Sequence, residues 1–173
     1  PATSPSQEGL ALKILAFESS AKAASTALLS DGLLLAEYTQ NSGQTHSRTL
    51  MQMAKDMLTS CDLTPQDIGA VAVAAGPGSF TGVRIGMAWG LQLPLYGVST
   101  LEAMTRGAAY ADGIYCACMD ARKQQIYDAV FSLQAGKLTR LTDDRAIAID
   151  ALVPELSEGA GPIYLLGDGA KLV

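Results

Sequence analysis

The segment that most constrains the fold is residues 74–86, AAGPGSFTGVRIG, which overlaps the end of the apolar run IGAVAVA. Four glycines and one proline in thirteen residues predict a loop rather than a packed element. A buried strand comes before this loop, and a helix of small residues, ending near Gly90, is predicted after it. Together they form the strand–loop–helix unit of an α/β protein.

The chemistry of this loop has two interpretations. Gly76 and Gly78 let the backbone approach a ligand, Pro77 stiffens the turn between them, and Ser79 offers a hydroxyl. The N-terminus of the following helix would attract an anion. The segment has neither the dinucleotide pattern nor the Gly-Lys-Ser/Thr ending of a nucleotide loop. A phosphate-binding loop and a tight structural turn therefore both remain open, and the spacing alone favours the turn.

Composition excludes several classes of protein. A chain of 173 residues with a net charge of -5 and no cluster of basic residues lacks the electrostatic attraction needed to bind nucleic acid unaided. No apolar run approaches the roughly 20 residues of a membrane-spanning helix. Three cysteines without framework spacing indicate reduced thiols and a cytoplasmic protein. Residues 1–11 are polar and predict a disordered tail or a remnant foreign to the native chain.

The remaining pattern alternates strands and helices. Asp31–Gly32 predicts a hairpin between two strands, apolar periodicity predicts a helix over 45–61, and Ser99 or Thr100 predicts a helix N-cap. Two strands are predicted around the turn DARK, with Cys116 and Cys118 on one face of the first strand. Alternation through Ile126, Ala129 and Phe131 marks the second, and a loop-rich region with one last strand follows. These elements predict an α/β fold of two similar lobes.

Three further groups of residues are chemical candidates. At the end of the first strand lie Glu18, Ser19 and Ser20. They are interpreted either as an ordinary strand terminus or as a carboxylate and two hydroxyls beside a metal-bound phosphate. Asp120 and Arg122 form either a functional ion pair or an Asp-led turn. His46 is the single histidine and is interpreted as a helix-capping or surface residue. One histidine supports neither a Ser-His-Asp triad nor a zinc or iron protease, and no metal site is predicted.

The helix over 45–61 is apolar around much of its circumference. One stripe along it comprises Leu50, Ala54, Met57 and Cys61, and Met51 and Leu58 extend this stripe to a second side. A wholly buried helix would explain this width, whereas its three methionines favour an interface. The predicted partner surface comprises Leu50, Met51, Ala54, Met57, Leu58 and, from the next helix, Gly86.

Four segments in this order, ILAFESSAKAASTALL, GPGSFTGVRIG, LPLYGVSTLEAM and DARKQQIYDAVF, closely resemble the TsaB family, also called YeaZ-like or glycoprotease-related. The resemblance covers nearly the whole chain after the tail. It implies an actin-like ASKHA (ribonuclease H-like) fold, with a first lobe over 12–98 and a second over 99–173 that is incomplete at its C-terminus. Arg84, Asp120 and Arg122 fall within these motifs without an assigned role.

The same resemblance implies a role in making threonylcarbamoyladenosine (t6A) in tRNA, beside the catalytic homologue TsaD and the ATPase TsaE. TsaD-like enzymes hold a metal with a histidine pair, which has no counterpart here. The resemblance therefore implies a non-catalytic activator that binds no cofactor alone, with ATP and metal on TsaD and with tRNA contacted only through the complex. A homodimer is expected for the isolated chain. The alternatives are an active ATPase or sugar-kinase-like enzyme and a glycoprotease-type peptidase.

Two departures from the family pattern accompany this resemblance. Between GVRIGM and AWGLQLP the sequence is about six residues short, or ~9 Å of helix. Residues missing from the chain are the expected cause, since a viable deletion would shift a whole helix face. Family members also continue beyond GDGAKLV.

Overall fold

The computed structural model describes residues 11–78, 93–157 and 161–173. Most of the predicted tail and the predicted helix after the glycine-rich loop lie outside these residues. The described residues form two compact units, one comprising 11–73 and 93–97, the other 74–78, 98–157 and 161–173. Residues 74–78, assigned to the first lobe from the sequence, thus cluster with the second unit. No helix among the described residues has the length and apolar character needed to cross a membrane.

The first sheet has five strands in the order β3-β2-β1-β4-β5. They are β1 (Lys13–Glu18), β2 (Ala24–Ser30), β3 (Leu33–Gln40), β4 (Ala70–Gly76) and β5 (Leu95–Ser99). β1 pairs antiparallel with β2 and parallel with β4. The predicted hairpin between β2 and β3 is confirmed, and both turn residues, Asp31 and Gly32, have positive φ angles of 48° and 81°.

One helix, α1 (His46–Ser60), covers one face of this sheet. The helix predicted over 45–61 is confirmed, with Thr45 and Cys61 as its flanking cap residues. Alternate residues of β1, Leu15 and Phe17, belong to the same buried cluster as the apolar stripe of α1. The residues that recur with a period of two in β1 and with the helical period in α1 therefore lie in one core.

The second sheet has the order β10-β6-β7-β8, with β9 also paired to β7. Its strands are β6 (Gly113–Arg122), β7 (Gln125–Gln134), β8 (Lys137–Arg140), β9 (Arg145–Ala148) and β10 (Ile163–Leu166), and its helices are α2 (Thr100–Ala108) and α3 (Ile149–Ser157). The Ser99 cap of α2 is confirmed, because its hydroxyl accepts a bond from the Glu102 N–H at 3.1 Å.

This second sheet is buried on both faces. Tyr115 and Ala117 of β6 pack in a cluster with Leu101 of α2. Cys116 and Cys118, on the opposite face, pack with α3. The prediction that the two cysteines share a face is confirmed, and both are free thiols. The neighbouring Cys118 thiol, together with burial, raises the pKa of Cys116.

Two predictions in this unit are wrong. Ile126 does not share a face with Ala129 and Phe131, because it belongs to the α3 cluster and they belong to the α2 cluster. The region taken as loop-rich contains β8, β9 and α3. Each of the two strands has only four residues, and Pro154 interrupts the helical pattern of α3, so the local signals were weak.

A buried carboxylate connects three elements of the second unit. Asp128 of β7 is 0% exposed and accepts two hydrogen bonds from Arg145 of β9, at 3.0 and 3.2 Å. Arg145 also donates to Glu155 of α3 at 2.7 Å. Burial raises the pKa of Asp128, and the hydrogen bond from Arg145 opposes that rise. The Arg145 guanidinium group therefore offsets the free-energy cost of burying the Asp128 carboxylate.

We expect Arg145→Ala to destabilise the protein by about 3 kcal/mol, because it leaves the Asp128 charge buried without a partner. Arg140→Ala is the matched control, since both of its carboxylate partners, Glu102 and Asp144, are 30% exposed. That control should cost about 1 kcal/mol, from exposed ion pairs and a contact with the Phe131 ring. Urea unfolding of the two variants measures the difference, and equal losses would contradict the role given to Asp128.

Candidate functional site

The loop after β1 uses its carboxylate locally. The backbone N–H of Ser20 donates to Glu18 Oε1 at 2.7 Å, and the Ser20 hydroxyl donates to the same oxygen. Ser19 lies between them but is 2% exposed, and its hydroxyl has no hydrogen-bond partner. The structure therefore brings Glu18 and Ser20 together and separates Ser19 from them.

His46 begins α1 and contacts this loop. Its Nε2 lies 2.9 Å from the Ala21 carbonyl oxygen. A carbonyl only accepts, so Nε2 is the donor of this bond, and Nδ1 is the other ring nitrogen. That Nδ1 atom is buried and has no partner. The sequence correctly placed His46 at the start of a helix but did not predict its contact with the Ala21 carbonyl, which depends on how α1 packs. The burial of Ser19 could have been predicted, because Leu15, Phe17 and Ser19 alternate along the chain.

The loop after β4 contains Gly76, Pro77 and Gly78. Gly76 has a φ of 117° and Gly78 a φ of 137°, a region that side chains disfavour. Among the described residues, the nearest atom to a Cβ added at Gly76 would be Gly78 N, at 3.9 Å, and the positive φ itself favours glycine there. Ser79, Arg84 and Gly86 lie outside the described residues, and the phosphate interpretation of this loop stays a prediction.

Asp120 and Arg122 meet in the turn between β6 and β7 through the backbone. The Arg122 N–H donates to Asp120 Oδ1 at 2.7 Å, and the Asp120 N–H donates to Asp168 Oδ1 at 3.2 Å. Arg122, Lys123 and Gln124 have positive φ angles of 66°, 52° and 60°. Of the two interpretations offered by the sequence, this geometry corresponds to the Asp-led turn.

The predicted partner surface on α1 needs correction. Four of its residues are at most 2% exposed and belong to the core of the same chain: Leu50, Ala54, Met57 and Leu58. The prediction that these four face a partner is wrong, because the first sheet already covers them. Met51 is only partly buried and is the one described residue of the set that retains accessible surface.

Metal-binding side chains do not assemble in the described part of the chain. Within residues 11–78, 93–157 and 161–173 there is no group of three histidine, cysteine, aspartate or glutamate side chains placed to hold an ion. The described candidate residues therefore form local turn contacts and a junction between the β1–β2 loop and α1.

Comparison with known proteins gives a consistent result. Residues 34–163 match the family model described as TsaD, tRNA N6-adenosine threonylcarbamoyltransferase. The tRNA threonylcarbamoyladenosine biosynthesis protein TsaB of Bacillus subtilis is 33% identical, over 93% of this chain and 73% of its own length. The protein of that name from Escherichia coli is also 33% identical, over 91% of this chain and 72% of its own.

Solved structures agree with these relatives. YeaZ from Pseudomonas aeruginosa superposes with a TM-score of 0.73 at 27% identity, covering 90% of this chain and 76% of that chain. A second Pseudomonas aeruginosa structure, described as similar to peptidase YEAZ, gives a TM-score of 0.76 at 27% identity, covering 89% of this chain and 74% of that one. The predicted α/β fold is confirmed as the fold of these YeaZ structures, and the chain belongs to the TsaB family.

Proposed function

We propose that this chain is a non-catalytic subunit that activates a TsaD-type threonylcarbamoyltransferase during t6A synthesis. Membership of the TsaB family supports a place in t6A biosynthesis. The match to the TsaD family model over residues 34–163 supports a relationship in which this chain and its catalytic partner have a common fold. TsaE completes the proposed assembly.

The observation that carries the non-catalytic role is the single histidine of the whole sequence. A metal held by a histidine pair needs two imidazoles at fixed spacing, and His46 has no second histidine. Its Nε2 is also engaged by the Ala21 carbonyl. We therefore place ATP and metal on the TsaD-type partner, with no catalytic cofactor on this chain.

Contact with tRNA is proposed to be indirect. A net charge of -5 opposes the phosphate contacts that dominate affinity for nucleic acid. The partner protein would supply the basic surface, while this chain binds that protein. The isolated chain would pair with a second copy of itself.

Reconstitution with the TsaD-type paralogue of the same cell tests the catalytic assignment. We expect the chain alone to transfer no threonylcarbamoyl group to tRNA, because it lacks the metal-binding pair. Added to the paralogue together with TsaE and the threonylcarbamoyl donor, it should raise the amount of t6A, measured by mass spectrometry of digested tRNA. Transfer by this chain alone would contradict the proposal, as would a reaction that is indifferent to its presence.

Met51 tests the corrected partner surface. Met51→Glu places a charge on the accessible part of α1 and should weaken association with the TsaD-type partner about tenfold, leaving the fold intact. Met51→Leu keeps the side chain apolar and is the matched control. Leu58→Glu should instead unfold the chain, because that position is 2% exposed and would bury a carboxylate.

Analytical ultracentrifugation and circular dichroism separate these outcomes. Unchanged association of a folded Met51→Glu variant would place the interface away from α1. A folded Leu58→Glu variant would contradict the burial of that residue in the core.

A further inference from the structure

The first half of β3 carries three consecutive exposed leucines. Leu33, Leu34 and Leu35 are 72%, 58% and 49% exposed. A strand with one covered face alternates between covered and open side chains, so a run of three needs its own explanation. Among the residues that the structure describes, no other three consecutive large apolar side chains are all exposed. Contiguous apolar surface of this kind marks an interaction site more often than isolated exposed leucines do.

An irregularity in the pairing of β2 with β3 accounts for this run. Leu29 lies opposite Leu34 and Leu28 lies opposite Ala36, so Leu35 has no partner on β2. An extra residue on one strand of an antiparallel pair is a β-bulge, which redirects side chains. It breaks the alternation along β3, and neighbouring leucines are therefore exposed together.

The core beneath α1 holds only the second half of β3. Ala36 and Tyr38 pack against that core cluster, and the Tyr38 hydroxyl lies 2.7 Å from the Ser60 hydroxyl at the end of α1. The leucine run, residues 33–35, does not belong to the cluster. The strand is thus fixed in place by its second half, while the leucines of its first half are available to an external partner.

β3 is also an edge strand. It stands at the end of the first sheet and pairs only with β2 within the described part of the chain. Its sequence, LLLAEYTQ, contains neither lysine nor proline, which commonly protect an edge from pairing with another strand. Glu37 is its one charged residue. The outer N–H and C=O groups of β3 therefore lie beside an uncharged apolar surface.

The chemistry of this edge favours a second copy of the same chain as its partner. A net charge of -5 makes two copies repel each other over most of their surface, whereas residues 33–36 carry no charge. An antiparallel pair of identical edges is self-complementary, because a twofold axis places donors opposite acceptors on both strands. With the axis at Leu35, the two Glu37 residues lie ~14 Å apart along the strands. That separation exceeds the Debye length of about 8 Å at physiological ionic strength.

The size of the edge limits the strength of this contact. Eight residues at ~3.4 Å each give a strand ~27 Å long. With a sheet thickness of ~10 Å, the edge offers roughly 270 Å² on each copy. A standard stable interface needs about 800 Å² per partner. The edge therefore predicts a reversible dimer that dissociates on dilution.

We propose that β3 pairs antiparallel with β3 of a second copy, and that residues 33–35 of both copies form the apolar centre of a reversible homodimer. The first sheets of the two copies would then be continuous across the twofold axis. This inference rests on the self-association included in the proposed function and adds the surface at which it occurs. Met51 of α1 remains assigned to the TsaD-type partner.

Sedimentation velocity over a dilution series of the full chain provides the test. Leu34→Glu should weaken the dimer at least tenfold, because it places two carboxylates at the apolar contact. Leu33→Glu, at the most exposed of the three positions, is a second variant of the same design. Leu141→Glu is the matched control, since Leu141 is a 53% exposed leucine of the second unit and should leave dimerisation unchanged. Circular dichroism verifies that each variant is folded.

Hydrogen exchange then locates the contact. Outward-facing amides of β3 should exchange more slowly in concentrated than in dilute protein, and amides of α1 should not change. Unchanged dimerisation of the folded β3 variants, or protection confined to α1, would overturn this surface. Slower exchange of β3 only after addition of the TsaD-type partner would assign the edge to that protein and overturn the homodimer. A chain that is monomeric at every concentration would overturn self-association itself, while the catalytic assignment is tested separately by reconstitution.

Discussion

Leu50, Ala54 and Met57 of α1 are fully buried in one cluster with Leu28 of β2, and this packing holds the helix on the first sheet. Burial of each large apolar side chain contributes about 1.5–3 kcal/mol. Because α1 is held along its length, its first residue is held too, which brings His46 against the Ala21 carbonyl. The same packing determines which side of α1 remains accessible, so the buried core and the contact between His46 and the β1–β2 loop have one origin.

The second unit depends on a different constraint. Its central strands, β6 and β7, are buried on both faces, so their side chains divide between the α2 and α3 clusters. Asp128 points into the α3 side, and Arg145 has to reach it from β9. The ion pair between Arg145 and Asp128 therefore holds the short strand β9 against the central strand β7. Without it, an unpaired carboxylate would be buried there at a large cost in free energy.

Local sequence signals predicted those parts of the fold that depend on neighbours along the chain. The Asp31–Gly32 hairpin, the Ser99 cap and the period of α1 are of this kind. The ion pair that accompanies the burial of Asp128 joins residues 17 positions apart. The contact between Glu18 and Ser20 spans two residues, whereas the Ala21–His46 contact spans 25. Of these two contacts, only the one between Glu18 and Ser20 could be predicted from the spacing of residues along the chain.

The carboxylates of the candidate loops act mainly on their own backbones. Glu18 accepts from the Ser20 N–H, and Asp120 accepts from the Arg122 N–H. Both carboxylates therefore stabilise the turns that contain them. Ser19 Oγ and His46 Nδ1 differ from these carboxylates, because both atoms are buried and no described residue supplies a hydrogen-bond partner.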